Sequence, residues 1–252
     1  MKSDRLQSME KYILRNESAS MEELCGEYGV SMNTVRRDVS ELLKKGSVEK
    51  VYGGVRARKS PEQSLAPFDV RSIDNETAKR SIGARAAELV HDGDIIFLDS
   101  GTTTPHLVEH LAALRDVTIV TNNFEVIRRA LPYDNLGVIA LPGQLRRKTN
   151  SFTGLEAVRA LRSYNIRIAF LASTGVTMHG MTNSSPLEYE IKRCAVEVSA
   201  RRVLMLCGSK FGVAGLMTYA GFSDFDTIVT DPTIPDSYRD AILQSGAKLL
   251  IG

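Results

Sequence analysis

Residues 95–111, IIFLDSGTTTPHLVEHL, decide the fold. Four apolar residues, Ile95 to Leu98, end in an acid, Asp99. Ser100, Gly101, Thr102 and Thr103 follow, and then a helix-like apolar pattern. Strand, small polar turn and helix make one βα unit. From about residue 79 onward the alternation repeats. Apolar runs at 95–99, 117–121, 136–141, 166–172, 202–207, 226–230 and 247–251 read as strands. Helical patterns fit 79–91, 103–113, 124–131, 154–163, 187–201 and 236–245. Strands that are apolar almost throughout are covered on both faces. Alternation with helices then predicts a mostly parallel, Rossmann-like α/β sheet.

The turn itself suits an anion. Glycine lets a ligand approach the backbone, Ser and Thr hydroxyls donate, and a helix start presents free N–H groups. A bland reading stands beside this one, since most short polar βα turns are only capped turns. The same stretch also contains His106, Glu109 and His110, which match an H-x-x-E-H zinc pattern. That pattern needs a third ligand, and no downstream Glu or His is marked out by spacing.

The rest of the chain narrows the choice. Its 252 residues allow one large domain, or a medium domain with a small one. Hydrophobic residues at 43% suffice for a core, and no apolar run approaches the roughly 18 residues of a membrane helix. The start, MKSDRLQSMEKYILRNES, carries acids and no long apolar segment, unlike a secretory or transit peptide. Three widely spaced cysteines, Cys25, Cys194 and Cys207, argue against a disulfide framework and for a reducing cytoplasm. Net charge is only +2, but residues 1–59 carry +3 and the remainder −1. The positive excess sits in the first quarter of the chain, a modest pointer to nucleic acid.

That quarter reads as a DNA-binding module. Leu6, Met9, Ile13 and Leu14 recur at helical spacing. A short helix fits Met21 to Tyr28 behind Ser20 as N-cap, with Gly29 at its end. Ser31 can cap a third helix, Met32 to Lys45, stopped by Gly46. In it Val35, Val39, Leu42 and Leu43 form one apolar stripe. Asn33, Arg37, Ser40 and Lys44 face away from that stripe, flanked by Thr34 and Arg36. Arginine can bond guanine and asparagine adenine in the major groove, where the second helix of a helix-turn-helix lies. SVEKVYGGVRARK, with Tyr52, Gly53 and Gly54 at its centre, then reads as a two-stranded ribbon. Alone, an Arg-Arg pair is more often a solvated face. Residues 56–67 are polar with two prolines, which places a linker there.

At Tyr28 to Val55, YGVSMNTVRRDVSELLKKGSVEKVYGGV, the chain resembles the DeoR family of bacterial transcriptional regulators. The resemblance runs the whole chain. It implies a winged helix-turn-helix at 1–57, a linker at 58–74 and an effector-binding domain at 75–252. That last domain would sense a sugar phosphate and be similar to ribose-5-phosphate isomerase and CoA-transferase-type folds. Ser31, Asn33, Thr34, Arg36, Arg37, Ser40, Lys44, Tyr52, Gly53 and Gly54 would meet DNA.

The resemblance also implies an effector pocket. Its residues would be Asp99, Ser100, Gly101, Thr102, Thr103, Asn122, Arg146, Lys148, Thr174, Gly175, Glu188 and Lys210. One departure stands out, because Cys207 occupies a position where the family commonly has an aspartate. Stretches such as RRKTNSF and MTNSSPLEYEIKR are similar to family members that govern inositol catabolism. The implied effector is therefore a phosphorylated sugar or inositol-pathway intermediate, with no cofactor, no metal and no catalytic residue. The implied partners are double-stranded operator DNA, the effector, and further copies in a homodimer or homotetramer, with no membrane. Two rivals remain: a sugar-phosphate isomerase using Asp99, Glu188 and Lys210, and a zinc hydrolase on His106 and His110.

Overall fold

The computed structural model describes residues 2–16, 18–57 and 65–252, and the chain divides into two compact units, before and after Ser64/Leu65. In the first unit α1 (Lys2–Asn16), α2 (Met21–Tyr28) and α3 (Met32–Lys45) pack with a three-stranded antiparallel sheet. Its strands are β1 (Ser18–Ser20), β2 (Val48–Val51) and β3 (Gly54–Ala57), in the order β1-β3-β2. The caps lie where the sequence suggests. Glu23 N–H donates to Ser20 Oγ at 3.1 Å, while Ser20 N–H donates to the Glu23 carboxylate at 2.7 Å. This reciprocal cap contributes about 1 kcal/mol to α2. Ser31 accepts from Thr34 N–H, and Gly29 and Gly46 end their helices in the left-handed region. Met9, Ile13, Leu24, Val35, Val39, Leu42, Val48 and Val55 fill the core.

Strand β1 was not expected, because three residues are too few for a periodic signal. It pairs Ser20 with Gly54, and a Cβ at Gly54 would stand 2.3 Å from the Ala19 carbonyl oxygen and 2.9 Å from Ser20 Cα. Both neighbours are backbone, so the sheet must shift to accommodate a methyl group. Gly54→Ala is expected to destabilise the first unit by about 1–3 kcal/mol. Hydrogen exchange of peptides from residues 18–57 against temperature measures this, and unchanged protection would refute the close approach.

The second unit holds a seven-stranded sheet, all parallel. Its strands are β4 (Ile95–Leu98), β5 (Val117–Thr121), β6 (Leu136–Ala140), β9 (Ile168–Leu171), β12 (Arg201–Met205), β14 (Thr227–Thr230) and β15 (Lys248–Ile251). Their order is β15-β14-β12-β9-β4-β5-β6. Alternate residues face opposite layers: Ile96 and Leu98 join one apolar cluster, with Ile82, Leu107 and Val126. Phe97 joins the other, with Leu161, Ile191 and Ile242. Helices Glu76–Ala87 and Phe124–Ala130 cover the first face. Helices Leu155–Leu161, Pro186–Val198 and Asp236–Gln244 cover the second.

Several features differ from expectation. The helix expected at 103–113 is a 3₁₀ helix, Thr104–Leu111. The helix expected to reach residue 201 stops at Val198, because Arg201 already opens β12. A hairpin, β7 (Gln144–Arg146) with β8 (Ser151–Thr153), and a small antiparallel sheet are additional. That sheet comprises β10 (Gly175–Thr177), β11 (Gly180–Asn183) and β13 (Met217–Ala220). Of the linker expected at 58–74, residues 58–64 lie outside the described residues. The remainder is built into the second unit: Phe68–Ile73 is a helix, anchored by the buried Phe68 ring. Among the described residues no helix is long and apolar enough to cross a membrane.

Candidate functional site

Helix α3 turns its apolar residues inward and leaves Asn33, Arg36, Arg37, Ser40 and Lys44 exposed. Beneath that face Asp38 is fully buried and accepts from Arg5 Nε at 2.7 Å, which ties α3 to α1. Ser31 and Thr34 cap the helix through each other, their hydroxyl oxygens 3.0 Å apart. Tyr52 stands fully exposed in the turn between β2 and β3, beside Gly53 at φ 78°. Gly54 is buried against β1 and has a packing role. Both glycines and Arg36, Ser40 and Lys50 also line a groove between α3 and the ribbon. The arrangement is an exposed helix face of arginine and short polar groups with a neighbouring hairpin tip, the surface a major groove accepts.

In the second unit the strand order reverses between β4 and β9: β5 and β6 extend one way, β12, β14 and β15 the other. In such sheets ligands lodge beyond the carboxyl ends of the strands at this switch. A cavity lies there. Of the residues expected at a pocket, Ser100, Gly101, Thr102, Thr103, Thr174, Glu188 and Lys210 line it. The loop is held from below. Thr104 Oγ1 donates to the Asp99 carbonyl at 2.7 Å, and Asn123 Nδ2 donates to the carbonyls of Asp99 and Gly101 at 3.1 and 3.0 Å. Gly101, at φ 151°, has no room for a Cβ, which would fall 2.7 Å from that of Ala172.

Asp99 does not line the cavity. It is fully buried at the end of β4, where it accepts from Ala172 N–H at 3.0 Å and from the ammonium of Lys192. Lys192 also donates to the Ala172 carbonyl at 2.9 Å, shares that carbonyl with the Tyr219 hydroxyl, and lies 5.7 Å over the Tyr219 ring. Burial pushes the Asp99 carboxyl above the usual carboxylate range, with Lys192 opposing. Burial likewise raises the Tyr219 phenol, which stays neutral. Glu188 is nearly buried and accepts from Ser151 Oγ at 2.8 Å, with Thr149 behind it.

Four expected residues lie elsewhere. Asn122 is buried and spends its amide on the Phe152 carbonyl. Arg146 is exposed on β7, Lys148 contributes its carbonyl to Phe68, and Gly175 packs against the Val213 backbone. Other lining residues escaped the sequence reading, among them Arg71, Lys79, Thr149, Asn183 and Lys192, while Cys207, singled out there as a departure, also lines the cavity. Lys192 had a signal, being four residues after Glu188 on one helix face; Arg71 and Lys79 had none. The Cys207 thiol, pushed up to about 11 by burial, is a neutral wall of the cavity.

The zinc pattern loses its geometry. In a 3₁₀ helix residues four apart point about 120° apart. His106 is buried, with Nδ1 3.3 Å from an Arg129 nitrogen. His110 is exposed beside Glu109. Among the described residues no three His, Cys, Asp or Glu side chains gather to hold a metal ion.

Comparison with known proteins gives a consistent set of likenesses. Residues 5–61 match the DeoR-like helix-turn-helix domain, and residues 74–232 the DeoR C terminal sensor domain. The chain is 42% identical over 239 residues, 94% of each chain, to the HTH-type transcriptional regulator IolR of Bacillus subtilis. It is 32% identical over 250 residues, 98% of this chain and 97% of the other, to the HTH-type transcriptional regulator YgbI of Escherichia coli. Among solved structures, ribose 5-phosphate isomerase A of Methanocaldococcus jannaschii superposes with a TM-score of 0.40 at 19% identity, covering 54% of this chain and 55% of that one.

Proposed function

The chain belongs to the DeoR family of transcriptional regulators, and from that premise we propose that it represses a catabolic operon and is released by a phosphorylated sugar or inositol-pathway intermediate. The observation that carries the DNA role is the face of α3, where Asn33, Arg36, Arg37 and Ser40 are exposed over the apolar core of the first unit. The protein binds as a homodimer or homotetramer in the cytoplasm, two copies of that face meeting two half-sites of an operator. Residues 1–57 read DNA and the unit that follows senses the effector. Occupancy of the cavity and operator binding then weaken one another by the same factor.

Binding without turnover is the better reading of the cavity. An isomerase needs a carboxylate free to move a proton at the substrate. Here Asp99, the acid that ends the strand before the glycine turn, is sealed under the floor against Lys192 and does not line the cavity. Cations, hydroxyls and a glycine turn suit a phosphate ester held in place.

Fluorescence anisotropy with DNA from upstream of the neighbouring genes, at fixed salt because phosphate contacts are salt-dependent, tests the proposal. Phosphorylated sugars and inositol derivatives titrated into the complex should include one that releases the DNA. Arg37→Ala should weaken specific binding by about 1–3 kcal/mol, roughly 5- to 150-fold, with the binding of unrelated DNA changed less. Unaltered operator affinity would remove Arg37 from the reading surface.

A further inference from the structure

The segment Leu65–Asn75 opens the second unit in chain order, so the polypeptide arriving from the DNA-binding unit enters the sensor through it. It is a built strap. Phe68 is buried and its N–H donates to the Lys148 carbonyl at 2.9 Å. Arg71 Nε donates to the Ala66 carbonyl at 2.9 Å, and Asn75 reaches Ser209 Oγ at 3.4 Å. The carbonyls at the end of a helix lack partners within it. Here one buried ammonium, that of Lys79, takes the carbonyls of Arg71 and Asp74 and, at 3.4 Å, that of Ser72.

The strap also forms a wall of the cavity, through Leu65, Arg71, Asp74 and Asn75. Arg71 is the reactive part of that wall. Its terminal guanidinium nitrogens make no hydrogen bond among the described residues, and the charge that acts on it is Glu188 of the same cavity. Lys192 is spent on Asp99, which leaves three cations lining the space, Arg71, Lys79 and Lys210, against two carboxylates, Asp74 and Glu188. Burial pulls Arg71 and Lys79 below their usual ranges, as expected of cations short of counter-ions. A guanidinium with open donors in such a space is fitted to take an anion through two parallel hydrogen bonds.

We infer that the strap Leu65–Asn75 is the ligand-responsive element of the sensor: an anionic ligand on the Ser100–Thr103 loop engages the open nitrogens of Arg71 and draws onto itself the strap whose helix end Lys79 holds. This rests on the reading of the cavity as the effector site. The ligand becomes a bridge between the sheet and the one segment through which the chain continues toward the DNA-binding unit. Arg71 is a ligand contact, and Lys79 is a positioning residue that holds the end of the strap helix.

Hydrogen exchange on the full-length chain tests this, with inorganic phosphate as the probe and sodium chloride at matched ionic strength as the control. In the wild type, phosphate should slow exchange several-fold in peptides covering both 98–104 and 65–75. In Arg71→Gln the protection of 98–104 should remain and that of 65–75 should disappear, with partial return in Arg71→Lys. A purely structural Arg71 would loosen the strap equally with and without phosphate, and that result overturns the proposal. Protection confined to 98–104 in the wild type overturns it as well, and leaves the cavity standing as the anion site. No protection of 98–104 removes the cavity reading and the proposal together. The wild-type arm decides even if the variants fold poorly.

Discussion

Lys192→Met is expected to lower the stability of the sensor unit by about 3–5 kcal/mol, the usual cost of leaving a buried charge without its partner. Lys192 and Asp99 are both almost wholly shielded from water and bonded to each other and to the backbone of Ala172. Removing the ammonium strands a carboxylate that burial already pushes toward its protonated form. The deficit should therefore shrink as pH falls and the carboxyl takes up a proton. The double variant Asp99→Asn with Lys192→Met should recover much of the loss, because no net charge remains buried. Urea unfolding followed by circular dichroism gives all three values. A loss below about 1 kcal/mol in the single variant would show that the pair behaves like a solvated one. The pair also anchors the end of β4 to the end of β9, between which the strand order reverses.

The sheet was legible because its strands are short apolar runs separated by helical periods, a purely local pattern. All seven of them occur where the runs lie. Helices α2 and α3 were legible to the residue because Ser20, Gly29, Ser31 and Gly46 mark their ends. The small strands β1, β7, β8, β10, β11 and β13 were not, since each mixes polar and apolar residues over three or four positions and shows neither an apolar run nor a period; β1 and β13 also find their partners far along the chain. The glycine turn announced its side of the cavity. The opposite wall comes from Arg71 and Lys79, and nothing local to either residue signals that it faces Ser100. Asp99 shows a related limit: its position was clear, but its burial beneath the floor depends on Lys192, ninety-three residues away.

The second large effect is on pH dependence. His106 is buried against Arg129, and burial first, then that neighbouring cation, pulls the imidazole to about 4 from its ordinary 6.5. Its Nδ1 accepts from the guanidinium only while it carries no proton, an assignment inferred from the hydrogen bond. The unfolded chain takes up a proton as pH falls through 6.5, whereas the folded one refuses it until about 4. Stability from this group is thus complete above pH 6.5 and is lost on the way down to pH 4, at most about 3 kcal/mol. His106→Gln should flatten this part of the curve. The measurement is the difference between the wild-type and variant urea midpoints at pH 7, 6, 5 and 4.5. Parallel curves would mean that His106 titrates normally. The same fold that spoils the zinc pattern accounts for this response.

One apolar cluster, from Met9 to Ala57, lies wholly in the first unit, and the other two lie wholly in the second. Among the described residues no buried residue belongs to both interiors, so a substitution in one core leaves the packing of the other untouched. Substitutions that reshape the cavity of the second unit can thus accumulate without disturbing what lies beneath the exposed face of α3.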